Sequence, residues 1–303
     1  MEDFPSRERI TAATLEPRVS AIVVVQNAKP GPGRASPLDL CLRGALAEPS
    51  VEELIIVDLG NEPEVSSALR AFQADRRDVK LVTAPNSLSF AAGLNLGARH
   101  ARARWLLFLD SDVVLQRGAV SRLATAGNGV HTPWIIGGRL MDLEGRERSV
   151  ARAGALNAFS AVAVAMELDG PKRPKRRRKS PSGTPTKVAA VSGAFMLMPR
   201  SDFDDLKGFD EGFATDAADL DLCKRAADAG GSVLFLPAAS GVQFERGQRG
   251  RRQAQGLALF AAKSAKTPLE KAFAAIAAPT LLVLVALKDF IAGQPPVDRQ
   301  QPR

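Results

Sequence analysis

RWLLFLDSDV, residues 104–113, decides the fold. Five apolar residues, 105–109, run without a break into Asp110-Ser111-Asp112. An apolar run this short, closed by acids, predicts a strand buried on both faces of a parallel sheet. Open α/β sheets place their ligands at the C-terminal ends of such strands. Two carboxylates one residue apart at that edge suit a hard divalent cation, Mg²⁺ or Mn²⁺, held together with ligand phosphates.

The same pattern extends outward in both directions. VSAIVVV, residues 19–25, predicts a buried first strand, followed by a Gly/Pro loop and a helix over 38–47. Residues 53–58 read as a strand ending on Asp58, 63–74 as a helix, 79–83 as a strand and 90–102 as an Ala/Gly-rich helix. After the central strand come a helix over 118–126 and a strand over 134–140. Residues 188–199 resume the sheet, 219–230 form a helix closed by glycine, and 232–237 form a last strand. Strands and helices alternating at this spacing predict an α/β fold with a mostly parallel central sheet flanked by helices.

Charge and composition narrow the function classes. The net charge of +8 resembles a nucleic-acid signal until it is located: residues 171–187, PKRPKRRRKSPSGTPTK, hold eight basic residues and no acid. Outside that segment the formal charges cancel, so the basicity belongs to one mobile insert. The run lacks interleaved aromatics, and no nucleic-acid partner is expected. An anionic membrane surface remains a possible partner. Two separated cysteines, Cys41 and Cys223, argue against a disulfide framework and suit a reducing compartment. His100 and His131 are too few and too far apart for a histidine zinc site. MEDFPSRERI is charged and has no apolar core, so no signal peptide is expected, and residues 1–18 read as a loose arm. The C-terminal apolar stretch, 272–287, is 16 residues long and interrupted by Pro279. A membrane span needs about 20. Contact with a membrane surface and packing on the domain are equal alternatives for it.

Several pieces in order carry a resemblance: Gln26-Asn27 after the first strand, VDLGNEP (57–63), NSLSFAAGLNLGARHARA (86–103), FLDSDV (108–113), VSGAFMLMPR (191–200) and GFDEGFATDAADLDLCKRAADAG (208–230). The chain resembles the family 2 inverting glycosyltransferases of GT-A fold, a Rossmann-like architecture, over roughly 19–245. It is nearest to the branch with rhamnosyltransferases and other builders of cell-envelope polysaccharide. The resemblance implies a GT-A domain at 19–245 and a C-terminal helical region at 246–303. It further implies a nucleotide-diphosphate-sugar donor (dTDP-rhamnose or a UDP-hexose), a divalent metal, a glycan or lipid-linked acceptor, and a cytoplasmic site that includes the inner face of the membrane.

The resemblance also assigns residues. Asp219 matches the general base and Asp221 a secondary, acceptor-side acid. Asp110 and Asp112 match the metal pair, with Asp112 the more direct ligand. Asp58 matches the acid that touches the donor base or ribose, and Asn27, Asn95, Asp110, Ser111 and Gly193 fall on the donor side. The chemistry suits these types: a cation neutralises the departing diphosphate, a carboxylate accepts the acceptor's proton, and glycine lets backbone approach a sugar. The chain departs from the family pattern at Gln26 for Tyr, Ser89 for Gly, Ala218 for Glu and Gln243 for His. An amide is a poorer metal ligand than imidazole, and loss of the acid beside Asp219 predicts a less basic carboxylate. A catalytically degenerate GT-A protein serving as a binding or scaffolding subunit is the alternative reading. A sugar-phosphate nucleotidyltransferase is weakened by the prolines in the loop at 31–38, which remove backbone donors to phosphate.

Overall fold

The computed structural model describes residues 18–28, 36–148, 152–153, 183–213, 217–244 and 251–265, with 267, 268, 272 and 275. The N-terminal arm up to residue 17, residues 171–182 of the basic insert and most of the 272–287 stretch lie outside them.

The first half is a run of βα units. β1 (Val19–Val25), buried at every position, leads to α1 (Pro37–Leu46), which begins where the Ser36 hydroxyl accepts from the Asp39 N–H at 3.2 Å. β2 (Val51–Leu59), α2 (Pro63–Ala74), β3 (Val79–Ala84) and α3 (Phe90–His100) follow. Proline opens α1 and α2, where its missing N–H costs nothing. Ser89 caps α3 by accepting from the Ala92 N–H at 3.1 Å. β4 (Trp105–Asp110) then inserts beside β1. α3 lies close against the sheet because Gly97 has no side chain: a Cβ there would stand 2.5 Å from Ile22 Cγ2.

The second half is mixed. β5 (Val113–Leu115), α4 (Ala119–Gly127), β6 (Trp134–Met141), β7 (Arg152–Ala153), β8 (Thr186–Lys187), β9 (Ala190–Val191), β10 (Phe195–Pro199), α5 (Arg200–Asp205), α6 (Ala218–Asp228), β11 (Ser232–Gln243) and α7 (Arg251–Ser264) complete the described chain. Glu48, 3% exposed, accepts from the Gly118 and Val120 N–H groups at 2.6 and 2.8 Å. A residue remote in sequence thus supplies the missing cap of α4.

The main sheet runs β3-β2-β1-β4-β10-β6-β11-β5, with β8 also on β11, and β7 pairs separately with β9. Parallel pairing holds through β3-β2-β1-β4 and between β6 and β11. β10 is antiparallel to β4 and β6, and β5 and β8 are antiparallel to β11. β4 has one parallel and one antiparallel neighbour. The basic insert also ends earlier than expected, because Thr186–Lys187 pair with Phe235 and Leu234.

The strand order fixes where a ligand can sit. From β1 the chain winds outward to β2 and β3, then returns to place β4 on the other side of β1. That reversal is a topological switch point, and the crevice outside it opens at the C-terminal strand ends. Val25 pairs with Asp58 and Val24 with Asp110, so two acids flank the end of β1.

Candidate active site

Asp110 ends β4 and Asp112 stands just before β5, both partly exposed. Below them the Cys41 thiol donates to the Asp110 carbonyl at 3.3 Å. Burial, then Asp112 and Asp110, push that thiol's pKa far up, so it stays protonated. β11 closes the other side. Gln243 lies opposite Val113, and the Phe244 N–H donates to the Asp112 carbonyl at 3.0 Å. The Gln243 amide nitrogen consequently sits 3.3 Å from Asp112 Oδ1 and 3.5 Å from Asp110 Oδ2.

The turn between β9 and β10 ties this edge to Asp219. The Asp110 N–H donates to the Ala194 carbonyl at 3.1 Å, and the adjacent Gly193 N–H donates to Asp219 Oδ2 at 2.8 Å. One dipeptide therefore holds the acid pair and Asp219 to a common frame. Asp219 occupies the first turn of α6, two residues beyond the cap position. The capping residue is Ala217, at φ 70°. The other carboxylate oxygen, Oδ1, accepts from the Leu220 N–H at 2.9 Å. Burial raises the Asp219 pKa above its ordinary value, against the lowering effect of the Gly193 and Leu220 N–H groups. The less basic carboxylate expected from Ala218 is a comparison with a paired-acid site; within this chain desolvation is the largest effect on Asp219 and raises its pKa.

Gly193 also has a role within the fold. A Cβ there would stand 3.2 Å from Asp219 Cβ, so the absent side chain makes room for the carboxylate. Asp58 is 1% exposed. Its carboxylate accepts from the Asn61 N–H and side-chain amide at 3.1 and 2.6 Å and from the Ser66 hydroxyl at 2.5 Å. Asn61 in turn donates to the Val25 carbonyl and accepts from the Ala28 N–H. Asp58 thus shapes the loop after β1, where Asn27 is exposed with φ 52°. Ser111 lies partly exposed between the two acids.

Two expected site residues turn out to be anchors. Both N–H groups of the Asn95 amide are spent, on the Phe209 carbonyl and Glu211 at 2.9 Å each. Its oxygen accepts from the Phe209 N–H at 2.9 Å. Asn95 thus latches α3 to residues 209–211. Phe209 itself packs edge-on against Phe108 of β4. Asp221, 8% exposed, holds Arg225 at 2.7 Å, and Arg225 donates to the Leu206 and Gly208 carbonyls. Asp221 therefore orients the clamp on the end of α5.

Sequence reading missed Arg148. It follows a hairpin whose turn is fixed by the Asp142 carboxylate, which accepts from the Glu144 and Arg146 N–H groups. Arg148 donates to Gln243 Oε1 at 3.1 Å and to the Gln243 carbonyl at 3.3 Å. No motif marks it, because the contact depends on the β6–β11 pairing.

Residues 20–139 match the family model for glycosyl transferase family 2. A pre-mycofactocin glycosyltransferase of Mycobacterium tuberculosis is 29% identical over 187 residues, 61% of this chain and 36% of that protein. The chain thus spans about a third of the length of the curated relatives it matches. Among solved structures, GalNAc-T7 with UDP, GalNAc and Mn²⁺ is similar with a TM-score of 0.59 at 14% identity, over 93% of this chain and 59% of that one. The mannosyltransferase PcManGT from Pyrobaculum calidifontis, in complex with GDP-Man and Mn²⁺, gives 0.58 at 18% identity, over 93% and 78%. The fold is that of the GT-A glycosyltransferases. Among the described residues, no cluster of three or more His, Cys, Asp or Glu could hold a metal. Asp110 and Asp112 offer hard oxygens at this edge, a donor set that fits Mg²⁺ or Mn²⁺ with further oxygens from a ligand. No helix among the described residues is long and apolar enough to cross a membrane.

Proposed function

We propose that this chain is an inverting glycosyltransferase that moves a sugar from a nucleotide-diphosphate sugar to a hydroxyl of a glycan or lipid-linked acceptor in cell-envelope synthesis. The observation that carries the reading is the Gly193–Ala194 bridge between Asp110 and Asp219. It joins an acid pair suited to a metal–diphosphate to a desolvated carboxylate suited to a proton. The family match over 20–139 supports the donor class.

In this reading the start of the loop shaped by Asp58, with exposed Asn27, receives the nucleoside. Asp112 and Asp110 would hold Mg²⁺ or Mn²⁺, which supplies Lewis-acid stabilisation of the departing diphosphate. Asp219 Oδ2, oriented by the Gly193 N–H, accepts the proton of the acceptor hydroxyl as it attacks the anomeric carbon. Its raised pKa makes it a better proton acceptor than an exposed aspartate. The basic residues of 171–182 would draw the chain to an anionic membrane or a lipid-diphosphate acceptor, at about 1 kcal/mol per basic residue near the surface.

The test is a screen of nucleotide sugars, including dTDP-rhamnose and UDP-hexoses, with Mg²⁺ or Mn²⁺, read by release of nucleoside diphosphate. Release that depends on Asp219 supports the reading. Nucleotide binding without turnover across the panel would favour a scaffolding subunit.

A further inference from the structure

Gln243 has one orientation that satisfies all its neighbours. Arg148 carries donors only, so the amide atom facing its guanidinium must be Oε1. Ionised Asp110 and Asp112 accept only, so the atom facing them must be the amide nitrogen. Arg148 also holds the Gln243 carbonyl, and the Asp142-braced hairpin returns the Arg148 N–H to the Leu140 carbonyl at 2.8 Å. The clamp is therefore attached to β6 and β11 together: one guanidinium donor holds the side-chain amide from behind and the other holds the carbonyl of the same residue.

We propose that Arg148 is a positioning residue that locks the Gln243 amide with its N–H₂ toward Asp110 and Asp112, and so keeps the affinity of this acid pair for a free divalent cation low. This rests on the proposed function, in which the acid pair takes the cation. An N–H₂ group aimed at both carboxylates cannot ligate a cation and competes for the same oxygens. A cation arriving alone finds two carboxylates already engaged. One arriving with a diphosphate brings its own oxygens and needs nothing from Gln243. The clamp thereby makes cation binding conditional on nucleotide. With Arg148 removed, the amide is free to turn and present Oε1 as a third oxygen ligand.

The experiment titrates Mn²⁺ alone into the full chain and counts free Mn²⁺ by electron paramagnetic resonance, with no turnover involved. Arg148→Leu is expected to tighten Mn²⁺ about tenfold, the lower end of what outer partners of a metal site contribute. Removing the Arg148 charge also favours a cation, so the comparison is repeated in Gln243→His, where no amide remains to turn. The tightening from Arg148→Leu should be clearly smaller there. Equal tightening in both backgrounds, or none in the Gln243 background, overturns the proposal. Asp112→Asn separates this from failure of the functional reading. If Asp112→Asn abolishes Mn²⁺ binding while Arg148→Leu leaves it unchanged, the acid pair is a metal site and the clamp alone is wrong. If no variant binds Mn²⁺ alone, the clamp is wrong, and the titration repeated with nucleoside diphosphate decides the functional reading, which falls if Asp112→Asn has no effect on Mn²⁺ binding there. Melting temperatures of each variant show whether it is folded.

Discussion

Gly193 and Asp219 touch through the absence of a side chain: the Gly193 N–H donates to Asp219 Oδ2 at 2.8 Å, and a Cβ on Gly193 would stand 3.2 Å from Asp219 Cβ. Such a contact is tighter than side chains ordinarily make, so one partner must yield. Gly193→Ala should therefore displace the carboxylate by a few tenths of an ångström. The expected result is a fall in kcat of about tenfold, with donor KM little changed and stability lowered by about 1 kcal/mol from overpacking. Steady-state kinetics and thermal melting check it, and an unchanged kcat would count against Asp219 as the base.

The raised pKa of Asp219 has a sign for activity and for stability. The base works only when ionised, so the acid limb of kcat/KM should lie above the ordinary aspartate value of about 3.9. The folded protein also binds this proton more tightly than the unfolded chain. The contribution to stability is complete below the unfolded pKa and is lost as pH rises through the folded one. Denaturant melts of the native protein and Asp219→Asn across the acid range should differ in slope with that sign. At neutral pH Asp219→Asn sheds a desolvated charge but keeps only one oxygen, for the Gly193 N–H, and loses the acceptor of the Leu220 N–H, so the pH dependence of its stability, not its value at one pH, carries the test.

Asp219→Asn and Asp112→Asn should fail differently. Asp219 acts on the acceptor, so its amide variant should lose transfer while retaining nucleotide affinity. Asp112→Asn should weaken Mn²⁺ and nucleoside diphosphate binding together. Calorimetry with the nucleoside diphosphate, with and without Mn²⁺, separates the two, and an equal loss of affinity in both would contradict the division.

Asn95→Ala should cost stability first. It strips the Phe209 N–H and carbonyl of their partner in a buried setting, a loss of about 1–3 kcal/mol. Urea melts should show that loss, with nucleotide affinity nearly unchanged at temperatures where the variant is folded.

These anchors mark where sequence reading stops. The apolar runs at 19–25 and 105–109, the prolines before α1 and α2 and the glycine after α6 are local signals, and each element formed where they point. Strand direction is not a local signal, so β10 inside the sheet and β8 at Thr186–Lys187 could not be oriented from an apolar run or a basic one. At the site, the acids at 110, 112 and 219 were legible as chemistry at a strand edge and a helix start. Asn95 and Asp221 match the same pattern of polar residues, but Asn95 bonds Phe209 and Glu211 and Asp221 bonds Arg225, contacts that exist only in the folded chain. Arg148 was invisible because its partner lies 95 positions away and carries no motif.

The most direct measurement of the central claim is nucleoside diphosphate release from a panel of nucleotide sugars by the native protein and by Asp219→Asn, with nucleoside diphosphate affinity measured on the same samples. The account predicts release by the native protein with at least one donor and a loss of at least about a hundredfold in the variant, the range general-base removal brings, at preserved affinity. Undiminished release by Asp219→Asn, or none by the native protein with any donor and acceptor, would contradict it.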